Sequence, residues 1–151
     1  MRKPGALSAT VECEVAFHDV DMVQIVWHGH YLRYLEQARW ALMNDIDFGF
    51  EAMRDSGYGW PIVDLHVKYI RAARFGDRLS VRASLAEWKN RLTVTYLVTD
   101  LASRECVMRA QTQQVAVELP SGVLQFVSPA VLLEKVNAAM ASKVEALGAN
   151  E

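Results

Sequence analysis

The sequence predicts a single α+β domain in which a mostly antiparallel sheet buries one face on a long helix and a second helix closes the chain. Three observations carry this. Tyr31, Leu35, Ala38 and Leu42 recur at i, i+4, i+7 and i+11, the spacing of one helical face. Arg78–Trp88 and Leu92–Leu101 alternate apolar and polar residues, the period of half-buried strands. Ser128-Pro129 then places a cap residue before a first-turn proline, a helix start.

In order along the chain, Thr10–His18 is rich in β-branched and aromatic residues and reads as the first strand. A loop with two aspartates follows. The helix runs from about Gly29 to Asn44, where Leu32, Trp40 and Met43 widen the apolar stripe and predict burial on most sides. Phe48–Asp55 reads as a short helix, ended by the breakers Gly57 and Gly59. Pro61–Ala72 is the next strand. In Arg78–Trp88, Leu79, Val81, Ala83 and Leu85 alternate with Ser80, Arg82 and Ser84. In Leu92–Leu101, Val94, Tyr96 and Val98 alternate with Thr93, Thr95 and Thr99. Lys89-Asn90 suits a two-residue hairpin turn, since Asn tolerates positive φ. Cys106–Leu119 is expected as another long strand, with Pro120-Ser121-Gly122 turning into Val123–Val127. The last helix is expected to reach Leu147 and stop at Gly148.

Length and composition narrow the function. At 151 residues the chain is expected to form one domain spanning residues 1–151, with its core in about 10–130 and the last helix at about 129–147. A net charge of −2 argues against general nucleic-acid binding. No run of about 18 apolar residues marks a membrane span, and Met1–Leu7 leads into no apolar signal segment. Cys13 and Cys106 lie far apart and read as free thiols of a reducing, cytoplasmic compartment. Long strands with open edges point to a homodimer or homotetramer.

The most informative stretch is Phe17–Tyr31. It sets Asp19 and Asp21 after a strand and just before a long helix. Backbone N–H groups at a helix start are unpaired and sit at the positive end of the helix dipole. A carboxylate there joins a potential base or nucleophile to a potential oxyanion site, which suits attack on a carbonyl.

Asp19-Val20-Asp21, with Val26 and Tyr31 at the following offsets, resembles the D-x-D-x-x-G-x-V-x-x-x-x-Y signature of the 4-hydroxybenzoyl-CoA thioesterase-like acyl-CoA thioesterases, which have the hotdog fold. Tyr34, Glu36, Ala38 and Arg39 resemble the family's helix pattern. Pro61-Ile62-Val63, then Tyr69 and Phe75-Gly76-Asp77-Arg78-Leu79, resemble its second strand and following loop. The resemblance implies a long central helix wrapped by the sheet and hydrolysis of an acyl-CoA, or of an acyl group on carrier protein, without a cofactor. Residue by residue it puts the catalytic carboxylate on Asp21 and the oxyanion contact on a backbone N–H near His28. Glu87–Arg91 is similar to the basic hairpin that holds the nucleotide end of coenzyme A in some members, which nominates Lys89 and Arg91. Lys68, Arg71 and Arg74 are further basic candidates. Gln24 stands where the signature has glycine. Gln takes positive φ less readily, so either the loop follows another path or the side chain points into the pocket.

Other residues have plainer expectations. Asp19 is expected to scaffold the loop, and Glu36 to pair with Arg33 or Arg39. His28 and His30 flank Gly29, yet no further ligand cluster suggests a metal. His18 reads as packing or support, and His66 as a core or interface residue. Tyr31 and Trp60 are candidates for the acyl pocket, Trp60 first because it precedes Pro61, although aromatics in such places also build cores. No G-x-S-x-G elbow is present, so a serine acyl-enzyme is not expected. An acyl-CoA-binding module without catalysis is the alternative outside enzymes, and the carboxylate at Asp21 argues against it.

Overall fold

The computed structural model describes residues 7–149, so the N-terminal reading of Met1–Ala6 lies outside the described residues. Strand β1 (Ser8–Glu14) leads through a 3₁₀ turn (Phe17–Asp19) and a loop into α1 (Tyr31–Asp45). A short α2 (Phe50–Asp55) precedes β2 (Tyr58–Gly59) and β3 (Ile62–Tyr69). Then come β4 (Arg78–Glu87), β5 (Leu92–Asp100), β6 (Cys106–Gln114), β7 (Val117–Glu118) and α3 (Ala130–Gly148). Five strands form one sheet in the order β1-β4-β5-β6-β3, and β2 pairs with β7. Every pairing is antiparallel. This is the predicted α+β arrangement.

The alternation in β4 and β5 sends Leu79, Val81, Ala83 and Leu85, with Leu92, Val94, Tyr96 and Val98, into the core. α1 lies against β1 and β4 and buries Tyr34, Leu35, Ala38, Leu42 and Met43. Leu132 and Val136 of α3 are fully buried as well. Burying a Leu- or Val-sized side chain contributes roughly 1.5–3 kcal/mol, so these facing rows hold the helix on the sheet.

The departures from expectation have local causes. The first strand ends at Glu14, because Phe17–Asp19 turns: Asp19 N–H donates to Ala16 O, and Ala16 N–H to Asp19 Oδ2, both at 3.0 Å. The β4–β5 connection is longer than a two-residue turn. Trp88–Arg91 separates the strands, the register slips between Leu85 and Glu87, and Asn90 is not among the positive-φ residues. The expected strand Cys106–Leu119 breaks after Gln114, because Val117–Glu118 leaves the large sheet to pair with β2. Val123–Val127 forms no strand and makes only a bridge from Leu124 to Val117. Ser128 does not cap α3 with its side chain. It is buried, and its N–H donates to Lys89 O at 2.8 Å.

β3 occupies one end of the large sheet and pairs only with β6. Its apolar side chains are poorly covered, with Leu65 43% and Tyr69 49% exposed. α1 covers the opposite, β1–β4, side of the sheet.

Candidate active site

The loop between the 3₁₀ turn and α1 folds back on itself. Val20 bridges Val26, and Ile25 bridges Arg74 in the β3–β4 connection. Asp21 N–H donates to Ile25 O, and Gln24 N–H to Asp21 O, each at 2.9 Å. Asp21 Oδ1 accepts the Val23 N–H at 2.8 Å, an Asx-type turn that fixes the carboxylate. Gln24 takes φ 67°, so this non-glycine residue adopts the left-handed conformation. Its side chain also lines a groove of about 700 Å³ with Phe17, Val20, Asp21, Met22, Arg74 and Phe75.

The neighbouring Asp19 is occupied differently. It is buried, and its carboxylate accepts from the Tyr34 hydroxyl at 2.7 Å, from Ala16 N–H, and from the Arg33 guanidinium. Burial alone would raise its pKa. The donors from Tyr34, Ala16 and Arg33 outweigh that and hold the carboxyl below its usual range. The Tyr34 hydroxyl is pushed up, first by burial and then by the Asp19 carboxylate it serves. Asp19 O also accepts Trp27 N–H at 3.0 Å and pairs with His30 Nδ1 at 2.9 Å. One residue thus ties the 3₁₀ turn, the loop and the first turns of α1 together.

The segment Trp27–His30 leads into α1. The Trp27 indole packs on the His28 and His30 rings and lies over Gly29. A Cβ there would come within 2.2 Å of the indole. Tyr69 Oη of β3 donates to His28 O at 2.6 Å. The His28 N–H donates to no group among the described residues, and it stands at the foot of a 15-residue helix. Such an N–H can polarise a carbonyl.

The remaining candidates fall elsewhere. Tyr31 is buried; its hydroxyl accepts Ala73 N–H at 3.0 Å and its ring meets Tyr69. Trp60 is buried against Phe48 and Tyr58, and its carbonyl accepts from Gln114 Nε2 at 2.7 Å. Lys89 and Arg91 are exposed in the β4–β5 connection, and Arg91 donates to Gln113. That connection lies at the far end of β4 from Arg74 and Asp21, about 30 Å along the strand. One chain therefore does not bring the hairpin to Asp21. Glu36 pairs with Arg39, as expected, and Arg39 is buried and reaches Tyr96 Oη at 3.5 Å. Arg33 pairs with Asp19 instead. His66 and His18 are exposed.

Sequence reasoning missed the anchoring roles of Tyr34 and Tyr69, and the groove walls Phe17, Met22 and Phe75. Phe17 and Phe75 pack edge to face at 5.8 Å, 58 residues apart in the chain, and only folding reveals that contact. Among the described residues no three His, Cys, Asp or Glu side chains gather as a metal site. A second groove, about 430 Å³, lies at the other end of α1 beside the Lys135–Asp47 ion pair.

Strand order and the buried helix give the molecule the hotdog fold. Comparison with known proteins gives the family: the chain belongs to the thioesterase-like superfamily, whose model matches residues 15–139. The protein named "Putative acyl-CoA thioesterase YneP" of Bacillus subtilis is 30% identical over 55% of this chain, a match spanning 60% of that relative. The fold is similar to that of a 1,4-dihydroxy-2-naphthoyl-CoA thioesterase from Synechocystis, with TM-score 0.76 and 21% identity over 89% of this chain and 96% of that one. It is also similar to a 4-hydroxybenzoyl-CoA thioesterase variant complexed with 4-hydroxybenzoyl-CoA. That match has TM-score 0.71 and 24% identity over 86% of this chain and 99% of that one.

Proposed function

We propose that this protein hydrolyses an acyl-CoA or aroyl-CoA thioester to the free carboxylic acid and coenzyme A. The observation that carries the reading is the unequal use of the two aspartates. Asp19 is buried and consumed by Tyr34, Arg33 and Ala16, whereas Asp21 lines a groove with Phe17, Met22 and Phe75 and its Oδ2 has no bond among the described residues. In this reading the thioester carbonyl lies against the His28 N–H, and negative charge growing on its oxygen is met by that N–H and the α1 dipole. Asp21 attacks the carbonyl carbon, forming a mixed anhydride and expelling the CoA thiolate. Alternatively it takes a proton from the attacking water. The exposed apolar edge of β3 supports a homodimer, because an uncovered edge of this kind pairs readily with another strand. Two free cysteines fit a cytoplasmic setting.

Asp21→Asn tests the assignment. Its kcat is expected to fall about 10²–10⁴-fold, the usual scale for a lost acid–base group, with KM little changed. Turnover within threefold of wild type on short, long and aryl thioesters would sink it. A single turnover in H₂¹⁸O tests direct attack: a mixed anhydride opened by water at its aspartyl carbon puts ¹⁸O into Asp21 and releases unlabelled acid, whereas water activated by a general base labels the acid and leaves Asp21 unlabelled.

A further inference from the structure

The groove of about 700 Å³ beside Asp21 holds a second ionisable side chain, Arg74, which hydrolysis of a plain acyl chain leaves unused. Among the residues lining the groove, only Asp21 and Arg74 can carry charge.

Arg74 is fixed at its backbone and free at its side chain. Its N–H donates to Asp77 Oδ2 at 2.9 Å, its carbonyl accepts the Asp77 N–H at 3.0 Å, and it bridges Ile25. Its guanidinium has no hydrogen-bond or ion-pair partner among the described residues. The arginines on either side of it are committed, Arg71 to Glu105 and Ser103, and Arg78 to Glu12.

The local ladder sets the two charges on one face. Val20 bridges Val26 antiparallel, so Asp21, whose N–H donates to Ile25 O, stands opposite Ile25. Ile25 in turn stands opposite Arg74. Directly opposed residues of antiparallel strands share a face. Asp21 and Arg74 therefore share one, separated at the backbone by two strand spacings, about 10 Å. No ion pair joins them.

We infer, on the hydrolase reading above, that Arg74 binds a carboxylate at the far end of the acyl group, so that the groove selects thioesters of short dicarboxylic acids. With the thioester carbonyl at Asp21, a group seated on Arg74 lies a few carbons along the acyl chain. The phosphates of coenzyme A lie on the other side of the sulfur, beyond the whole pantetheine arm, which overshoots a residue two strands away. Phe17, Met22 and Phe75 give the intervening methylenes apolar contact. A guanidinium holds a carboxylate through two parallel N–H donors. It also offsets the repulsion that Asp21 would exert on an anionic acyl end. An uncharged chain of the same length leaves that guanidinium without a partner, which is how a polar site rejects an analogue. Arg74 is exposed, so water competes for it and the discrimination is set at about 10–100-fold. The net reaction is unchanged by this contact. Water gives its hydroxyl to the carbonyl carbon as the C–S bond breaks, its proton goes to the thiolate, and the far carboxylate leaves intact on the product.

Adipyl-CoA and hexanoyl-CoA match in carbon number and differ by the terminal carboxylate, so they form the test pair for the full chain, with spontaneous hydrolysis subtracted. Wild type is expected to show a kcat/KM about 10–100-fold higher on adipyl-CoA. Turnover of hexanoyl-CoA or benzoyl-CoA with no preference for adipyl-CoA overturns the selection and leaves the hydrolase reading standing. Turnover of none of the three overturns both.

Arg74→Gln is expected to lower the adipyl-to-hexanoyl ratio about 10–100-fold, and Arg74→Lys to keep part of it, because an ammonium retains the charge but not the paired donors. A ratio taken within one variant is insensitive to how much of that variant folds. An unchanged ratio in Arg74→Gln overturns the assignment. The same acyl pair on N-acetylcysteamine, a thiol without phosphates, is expected to preserve the wild-type preference. Its disappearance there would put the anionic contact on coenzyme A and overturn the acyl carboxylate.

Discussion

Asp19 and Asp21 are two residues apart and chemically identical, yet their surroundings give them different work. Three donors surround Asp19, while one backbone N–H holds Asp21 and leaves an oxygen open to the groove. Gln24 is the second residue-scale lesson. The turn it closes needs a left-handed residue, and Gln24 supplies it at φ 67° despite a steric cost of about 1–2 kcal/mol. Glycine removes that cost but loses about 0.5–1 kcal/mol of chain entropy on folding. Gln24→Gly is therefore expected to stabilise the protein by about 0.5–1 kcal/mol, read as a higher urea midpoint with an unchanged m-value. A lower midpoint would mean that the Gln24 side chain contributes more in the groove than its backbone strain costs.

At the scale of elements, Asp19 joins the 3₁₀ turn, the loop and α1, so its ionisation is linked to stability. Its folded pKa lies below its unfolded value, which for a carboxylate is near 3.9. The stabilisation is therefore fully present above about pH 4 and is lost as pH falls through the folded pKa. The urea midpoint of wild type is expected to drop between pH 5 and pH 2 more steeply than that of Asp19→Asn. At pH 7 the variant is expected to be about 2–3 kcal/mol less stable, since the half-exposed Arg33 limits the loss. Parallel pH profiles for the two proteins would show that Asp19 is not the linked group. The element edges differ from the sequence reading where tertiary contacts compete with local preference. β6 stops at Gln114 because Val117–Glu118 finds β2, and Ser128 spends its N–H on Lys89 O.

For the whole molecule, the uncovered β3 edge supports the proposed homodimer, and with it a dependence of activity on assembly. Specific activity is expected to fall on dilution in step with the dimer fraction followed by sedimentation or light scattering. Constant specific activity in demonstrably monomeric protein would show that one chain holds a whole site. The groove itself is built from the loop before α1 and from Arg74 and Phe75 of the β3–β4 connection, so no local stretch of sequence describes it.

The sequence by itself determined the class of fold, the order of its main elements and the loop that is proposed to carry the chemistry. Helical spacing from Tyr31 to Leu42 and alternation in β4 and β5 are local periodicities, and burial acts on them directly. It also marked Asp21 and the neighbourhood of His28, because those groups are set by neighbours in the chain. Only the tertiary structure decided that Asp19 is buried among Tyr34, Arg33 and Ala16. It also decided that Tyr31 and Trp60 are packed in the core, that Tyr69 reaches His28 O, and that Lys89 and Arg91 stand far from Asp21 within one chain. These are contacts between residues distant in sequence, and their geometry follows from how the helix and sheet close on each other, which no local pattern encodes.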